Sequence, residues 1–433
     1  MADKLLIKNV SLIDVKERNV RKNCDILIWD GKFQTISFGE TDQENECRII
    51  DGTGKFAVPG MIDTHVHIKA RRYSAPSREN PISKIQDRNQ EWKKWIPKLH
   101  SYLYIGVTSI FDAGNVPEAI HHFRKTSLDG SLTSPRIFCT GNLVTVPGGH
   151  GYEVGCEISS MPDDEKKLDE YLKTGPDLVK ITYDEHGWGI RPLIPILSIE
   201  TLKSIIDFCH RRGLRVTTHV SNELRSREAI KAGTDVLAHT VIQSPITDEF
   251  VDIVRNAGVP VVSTLQIGEG YSRLVNEPGY LNAKIYRDCL DEEEIEILLT
   301  QERQRLSANV WTRWMEIMTP IVQENLLRLH NGGAVISAGT DGTSGPDFYR
   351  ELQLLLSAGL SEMDVLVSAT INGALVLGKE SELGSIEEDK IADLVLLRSD
   401  PTKDLKNLLN IELIIKDGKE IDRGKLDLPI NKK

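Results

Sequence analysis

Eight short apolar runs, alternating with helical stretches in the middle of the chain, constrain the fold more than any other feature. The runs are residues 56–64 and the segments GVTSIFDAG, RIFCTGNL, DLVKITYD, LRVTTHV, DVLAHT, VPVVSTL and AVISAGTD. Intervening stretches such as SIETLKSIIDFCHRRG, with a Ser cap and a terminal Gly, predict helices. Eight strand–helix units predict an α/β protein with a (β/α)8 TIM-like barrel, in which functional side chains gather at the C-terminal ends of the strands.

The two ends of the chain have a different pattern, in which apolar and polar residues alternate around Asp-Gly turns. It occurs in KLLIKNVSLIDV and CDILIWDGKFQTISF near the start, and in KIADLVLLRSDP and IELIIKDGKEI near the end. We therefore expect residues 1–55 and 383–433 to form one small β-sandwich domain, and residues 56–382 to form the barrel. Residues 268–331 predict a helical insertion that either covers the barrel mouth or forms an interface.

Charge, hydrophobicity and cysteine usage indicate which partners and which cellular compartment the sequence favours. The net charge of −11 argues against nucleic-acid and acidic-membrane partners. Apolar runs stay shorter than a membrane span, and the N-terminus lacks the pattern of a signal peptide. The six cysteines are scattered without a C-x-x-C pair, which favours reduced thiols and a cytoplasmic location.

Polar residues stand at the C-terminal ends of five of the predicted barrel strands. They are His65, His67, Lys180, His219, His239 and Asp341. The histidines of PGMIDTHVH are two residues apart, so a strand directs both imidazoles to the same face. Imidazole nitrogens suit a zinc-type metal ion, and buried charged groups are seldom left unpaired. The pattern therefore predicts a metal site at the barrel mouth.

Lys180 is the least expected member of this set, because an ammonium group beside divalent cations is both repelled and desolvated. A neutral lysine amine can react with carbon dioxide to give an anionic carbamate, whose two oxygens suit a bridge between two metal ions. A carbamate, Asp341 and a hydroxide would offset three of the four positive charges of two divalent ions. The alternative is that Lys180 pairs with a carboxylate such as Asp184 and that a single metal ion binds.

The chain resembles the metal-dependent amidohydrolase superfamily, in its imidazolonepropionase-like and prolidase-like branch. The resemblance rests on PGMIDTHVH, GVTSIFDAG, PGGHG, DLVK, TTH, LAH and SAGTD, followed by ATINGALVLG and LGSIEEDKIADLVLL. It implies His65, His67 and Asp341 on one metal ion and His219 and His239 on a second, with carboxylated Lys180 between them. The ions would be zinc, although cobalt, manganese and iron suit the same ligands. It also implies a homo-oligomer.

The resemblance further implies hydrolysis of a carbon–nitrogen bond by a metal-bridging hydroxide. Asp341 would act as the catalytic base, and His150 of PGGHG would face the substrate to polarise its carbonyl or bind a carboxylate. We expect a small-molecule substrate such as an N-acyl amino acid or a dipeptide of the Xaa-Pro type. Cyclic amides, carbamates and ureas are the alternative substrates, and a catalytically silent scaffold is a more remote one.

One departure from the family pattern bears on the substrate. Many dipeptidase-type relatives read H-A-Y after the fifth strand, and the Tyr helps to hold the substrate carboxylate, whereas this chain reads His219-Val220-Ser221. Candidate replacements for that clamp are Arg71, Arg72, Tyr73, Arg191 and Arg225. Mononuclear deaminases of the superfamily usually place a Glu three residues after this His. Asn222 stands there instead, with Glu223 beside it, which argues against deamination.

Overall fold

A computed structural model describes residues 4–39, 47–69, 92–186 and 193–432. The strands in chain order are β1 (Lys4–Asp14), β2 (Asn19–Trp29), β3 (Lys32–Phe38), β4 (Cys47–Asp51), β5 (Phe56–Pro59), β6 (Met61–Val66), β7 (Val107–Asp112), β8 (Arg136–Cys139), β9 (Leu143–Thr145), β10 (Gly155–Glu157), β11 (Val179–Thr182), β12 (Val216–His219), β13 (Val236–Leu237), β14 (Val261–Val262), β15 (Ile336–Ser337), β16 (Leu394–Leu397), β17 (Ile411–Lys416) and β18 (Lys419–Glu420).

Helices follow most of the barrel strands. They are α1 (Ile96–Tyr104), α2 (Pro117–Leu128), α3 (Glu165–Leu172), α4 (Ile199–His210), α5 (Glu223–Ala232), α6 (Asp248–Ala257), α7 (Leu265–Asn276), α8 (Lys284–Cys289), α9 (Glu292–Ile297), α10 (Arg303–Ser307), α11 (Val310–Asn331), α12 (Gly345–Ala358), α13 (Glu362–Ser368) and α14 (Ile371–Leu377). Sequence signals set several boundaries: Ser198 and Asn222 cap α4 and α5 through their side-chain oxygens, and Gly233 ends α5 in a left-handed conformation.

The parallel strands close into a barrel. Strands β6–β8 form one sheet, and β9 and β11–β15 continue in a second sheet, with β10 on its edge. Asp177 N donates to Cys139 O across the junction after β8, and Thr64 N donates to Ala338 O where β15 meets β6. The eight predicted runs all contain barrel strands, so the predicted TIM-like barrel is confirmed. The run RIFCTGNL is broken between β8 and β9.

Both ends of the chain contribute to a single eight-stranded sheet. Its order is β18-β17-β16-β5-β1-β2-β3, and β4 pairs with the first half of β1. The predicted first run, 56–64, is divided at Gly60: β5 belongs to this terminal sheet and β6 to the barrel. A core of its own, including Ile7, Ile26 and Leu396, lies against the sheet.

The segment predicted as an insertion is helical from Leu265, three residues before its expected start, and runs through α7–α11. A π-helical turn, Leu298–Glu302, lies between α9 and α10. Leu274, Leu281, Leu298 and Leu306 form a small core inside this segment. Among the residues that the structure describes, no helix combines the length and apolarity needed to cross a membrane.

A buried ion pair joins the barrel to the terminal sheet. Arg136, the first residue of β8, donates from Nη1 to Asp393 Oδ2 at 2.6 Å and to Ser109 Oγ at 3.0 Å, and its Nη2 pairs with Asp417. Arg136 and Asp393 are almost completely buried. The contact lies at the N-terminal ends of the barrel strands, so the terminal sheet supports the barrel from the side opposite its mouth.

Replacement of Arg136 by Met should therefore lower the free energy of unfolding by about 3–5 kcal/mol, because Asp393 would remain buried without its counter-ion. Urea unfolding followed by circular dichroism measures the change. Lys203→Met is the matched control: the pair of Lys203 with Asp207 is exposed and should contribute less than about 1 kcal/mol. Equal effects of the two substitutions would contradict this account of the junction.

Candidate metal centre

The strand-end side chains predicted from the sequence meet at the C-terminal end of the barrel. The rings of His65 and His67 are 5.4 Å apart, and those of His65 and His239 are 4.7 Å apart, between centroids. The ring of His219 lies 4.5 Å from that of His239. Lys180 Nζ lies 3.2 Å from His65 Nε2. Side chains from β6, β11, β12 and the segment after β13 are thus in mutual contact.

Asp341 completes the group at the end of the eighth predicted run. Its Oδ1 lies 3.2 Å from His67 Nε2 and 3.9 Å from His65 Nε2. Its backbone has a φ of 53°, which is uncommon for a residue other than glycine, and its N–H donates to His65 O at 2.7 Å. Strained backbone at this position is typical of functional sites, where neighbouring contacts hold the residue in place.

His150 also reaches this group, although it comes from the PGGHG loop after β9. Its ring centroid lies 4.4 Å from that of His219. Gly148 and Gly151 both have positive φ, and a Cβ on Gly151 would come within 2.8 Å of Leu143 Cδ2. The glycines therefore allow the tight path of the loop. Thr182 Oγ1 anchors the loop by donating to His150 O at 2.9 Å.

Asp184 is a candidate that the sequence prediction did not include among the site residues. Its Oδ2 lies 3.3 Å from His219 Nε2 and 3.8 Å from His150 Nδ1, while its Oδ1 accepts from Ser221 Oγ at 2.6 Å. The sequence carried a signal for it, because Asp184 ends the run DLVKITYD, in the same kind of position as the selected residues. The alternative contact considered for Lys180 differs from what is observed: Asp184 faces histidines, and the Lys180 amine faces His65.

Neighbouring acceptors orient the imidazole rings. His67 Nδ1 lies 2.7 Å from Gly114 O, and His239 Nδ1 lies 2.8 Å from Thr264 Oγ1. An N–H that donates from Nδ1 leaves the lone pair on Nε2, and a partner of this kind usually accompanies a metal-binding histidine. The Nε2 atom of His67 faces Asp341, in agreement with that arrangement.

Burial shifts the protonation of the group towards the forms that bind metal ions. It lowers the pKa of Lys180 to about 7 and that of His219 to about 4, and it holds the pKa of His65 and His239 well below the usual range. Burial opposes ionisation of Asp341. The interactions of this carboxyl with His67, His65 and Lys180 outweigh burial and keep the pKa of Asp341 well below normal.

The donor atoms fit a metal centre. Ligand atoms of His65, His67 and Asp341 lie within 4.8 Å of one another, and so do those of His150, Asp184 and His219. Imidazole nitrogens and ionised carboxylates are the ligand types that zinc takes in catalytic sites, and the lowered pKa values of His65 and His219 favour their neutral, metal-binding forms. The first set agrees with the sequence-predicted ligands, and the second adds Asp184 and His150 beside His219.

Arg225 is the one candidate for binding a substrate carboxylate that lies within the described residues, and it is already paired with acids. Arg225 donates from Nε to Glu185 at 2.9 Å and from Nη1 to Glu228 at 2.6 Å, so nearby acids neutralise it. Ser221, where many dipeptidase-type relatives have Tyr, is buried and bonded to Asp184. The other candidates, Arg71, Arg72, Tyr73 and Arg191, lie outside the described residues.

The chain is similar in sequence and in fold to known proteins. The sequence profile of the Amidohydrolase family matches residues 56–421. An imidazolonepropionase from Caldanaerobacter subterraneus subsp. tengcongensis is 23% identical over 91% of each chain. The crystal structure of a Xaa-Pro dipeptidase with bound methionine superposes with a TM-score of 0.76 at 22% identity, over 97% of this chain and 100% of the other. That of phenylurea hydrolase B has a TM-score of 0.76 at 20% identity, over 98% of each chain.

The hydroxyl of Thr264 should contribute measurably to metal binding. We expect Thr264→Val to lower zinc affinity by about 10–100-fold, because His239 loses the partner that orients its ring. Competition with a chromophoric chelator measures this affinity. Thr240→Val is the matched control, since the buried Thr240 Oγ1 has no hydrogen-bond partner in the described part of the chain. Unchanged affinity in Thr264→Val would contradict the orienting role.

Proposed function

The chain belongs to the Amidohydrolase family, and on that premise we propose that it hydrolyses an amide bond of a small molecule at a centre for two divalent metal ions. The family membership predicted from the sequence motifs is thereby confirmed. Its relatives make the chain a hydrolase of carbon–nitrogen bonds, not a silent scaffold. The specific substrate, the metal ions and the residue roles below are our proposals.

One observation carries the proposal: the six predicted ligands, from five predicted strands, lie together at the barrel mouth. Asp341 lies beside the H-x-H pair, and Lys180 lies beside His65. Convergence of four histidines, a lysine and an aspartate in a buried site is costly unless the site binds a charged partner. A divalent cation shared by neutral imidazoles and ionised carboxylates removes that cost.

We assign His65, His67 and Asp341 to one ion, His219 and His239 to the second, and carboxylated Lys180 to the bridge between them. Zinc is the ion we propose, because nitrogen and carboxylate ligands suit it. When bound, such ions polarise a carbonyl group and lower the pKa of a water molecule to about 7. Asp184 serves in this proposal to orient His219 through Nε2.

Side chains of this protein would transfer the proton and polarise the scissile carbonyl. The Asp341 carboxylate is ionised at neutral pH and can accept a proton at Oδ from the attacking water, then return it to the leaving nitrogen. His150, held beside His219 by its loop, can donate an N–H to the oxygen of the scissile carbonyl. No covalent intermediate with the protein is required.

Carboxylation of Lys180 has physical support. Burial lowers the pKa of the Lys180 amine to about 7, so a large fraction of this lysine carries a neutral amine at neutral pH. The amine nitrogen forms a bond to the carbon of carbon dioxide and releases one proton, which yields the carbamate anion. That anion places negative charge where a bare ammonium group would repel the metal ions.

Two substrate classes follow from the site. N-acyl amino acids and dipeptides of the Xaa-Pro type are suggested by the dipeptidase relative, and their carboxylate would need a partner other than Arg225. Cyclic amides, carbamates and ureas are the second class. A specific observation favours them: Ser221 is bonded to Asp184, and Arg225 is neutralised by Glu185 and Glu228.

Several further expectations accompany the function. We propose that the terminal segments, 1–55 and 383–433, together with β5, form a β domain apart from the barrel, which the separate core of the terminal sheet supports. The cysteines are all free thiols, in keeping with the proposed cytoplasmic location. A homo-oligomer is proposed by family resemblance alone.

Replacement of Asp341 by Asn should lower kcat by at least about 10²–10⁴-fold, because the amide accepts no proton from the attacking water. Zinc-loaded protein supplied with bicarbonate would be assayed on dipeptides, N-acyl amino acids, lactams, hydantoins, carbamates and ureas, with released amine or acid as the readout. Circular dichroism checks that the variant folds.

A fully active Asp341→Asn protein would contradict the proposed function. Turnover confined to cyclic or carboxylate-free compounds would select the second substrate class. Turnover of open-chain substrates with a free carboxylate would select the first class and direct mutagenesis to the four clamp candidates outside the described residues.

The carbamate of Lys180 should be visible without any substrate. We expect ¹³C-bicarbonate and zinc to produce a carbamate carbonyl signal in the ¹³C NMR spectrum, and Lys180→Met to remove it. Lys98→Met is the matched control, because Lys98 is equally buried but paired with Glu294. Loss of the signal in both variants, or in neither, would contradict the assignment to Lys180.

A further inference from the structure

A cavity beside His219 and His239 lies between the barrel mouth and the helical insertion. Leu265 and Ile267 of α7 line it, together with Met315 and Val322 of α11. We propose that this cavity binds an uncharged, apolar group of the substrate and that α11 selects for it, an inference that rests on the proposed function above.

The position of the cavity connects it to the reaction centre. Two of the candidate metal ligands form part of its wall, so a group held there is attached close to the scissile bond. The opposite wall comes from α11, where Met315, Thr319 and Val322 are spaced to lie on one face of the helix. The insertion thus covers part of the mouth and contributes directly to the space available for substrate.

The chemistry of the lining excludes a charged occupant. Apart from the two histidines, the described lining residues carry no ionisable group, and their polar members are Thr264 and Thr319. The Thr264 hydroxyl already lies 2.8 Å from His239 Nδ1. On the α11 side of the cavity no lining side chain offers a cation to replace the water that a carboxylate would lose, whereas an alkyl or aryl group is stabilised by leaving water.

Met315 is the residue that shapes the cavity most directly. It is almost fully buried, and a Cβ on Gly268 would come within 2.2 Å of its Cε. The absence of a side chain at Gly268 therefore lets the Met315 methyl group pack against α7, where both residues line the cavity. Methionine is unbranched and flexible, so it adapts to apolar groups of different shape.

Arg225, the described candidate for binding a substrate carboxylate, does not change this conclusion. Arg225 is neutralised by Glu185 and Glu228. A substrate that also carries a carboxylate must therefore direct it away from the α11 side. The inferred substrate class is an amide, carbamate or urea with an apolar group on one side of the scissile bond.

The methyl group of Met315 offers a direct test. The chain has six methionines, and ¹³C-methyl labelling gives one NMR signal for each, with Met315 identified from Met315→Leu. Acetohydroxamate, hexanohydroxamate and the monohydroxamate of adipic acid would be titrated into zinc-loaded protein. We expect the hexano compound to shift the Met315 signal and to bind at least about tenfold more tightly than the other two.

Two variants sharpen the test. Met315→Lys should reverse the preference in favour of the adipic compound, because it places a cation in the cavity. Ile317→Lys is the matched control, since Ile317 lies on the exposed side of the same helix and should leave the preference unchanged. Thermal melting monitored by circular dichroism verifies that both variants are folded.

The outcomes separate this inference from the proposed function. Binding of acetohydroxamate without any gain in affinity from the pentyl group of hexanohydroxamate would overturn the cavity assignment and leave the metal centre intact. Protein that retains no zinc would overturn the proposed function, and the cavity would then be tested on metal-free protein with hexanamide and acetamide. A Met315 shift with hexanamide alone supports the cavity, and equal responses to the two amides overturn it.

Discussion

Closure of the barrel between β15 and β6 is the constraint on which the site depends. Asp63 is fully buried there, and its Oδ1 accepts from the backbone N–H groups of His65 and Thr340, while its Oδ2 accepts from the Thr340 hydroxyl at 2.8 Å. The Asp341 N–H donates to His65 O in the same junction. These bonds bring together the first and last candidate ligands, which are far apart in the chain. A site built on rigid strands keeps its geometry better than one built on loops.

The second requirement is the dry environment around these groups. Burial lowers the pKa of His65, His219 and His239, which keeps their imidazoles neutral, and it lowers the pKa of the Lys180 amine to about 7. The carboxyls of Asp184 and Asp341 stay ionised through their interactions with neighbouring side chains. A ring of neutral imidazoles with ionised carboxylates is poorly stabilised by protein contacts alone. The same environment that disfavours these charges in isolation favours the binding of a divalent cation.

The proposed substrate selection involves other parts of the molecule than the proposed chemistry. The strands present the candidate ligands, while α7 and α11 of the insertion line the adjoining cavity. Ser221 stands where many dipeptidase-type relatives have Tyr. Its hydroxyl donates to Asp184 and accepts a hydrogen bond from Gln243 Nε2 at 2.8 Å. The terminal sheet is on the opposite side, where Arg136 joins it to the barrel. A common reaction centre can thus serve different substrates through changes in the insertion and the loops.

The sequence by itself determined the barrel, the shared terminal strands and the set of six strand-end residues, because the period of apolar residues and the position of polar ones are local properties. Only the tertiary structure revealed that β5, before Gly60, belongs to the terminal sheet and not to the barrel. It also revealed that Asp184 lies beside His150 and His219, and that Arg225 is neutralised by two acids. It also placed Met315 in a cavity wall shared with His219 and His239. These features depend on which side chains meet across long sequence separations, and burial and hydrogen bonding select those meetings only once the barrel has closed.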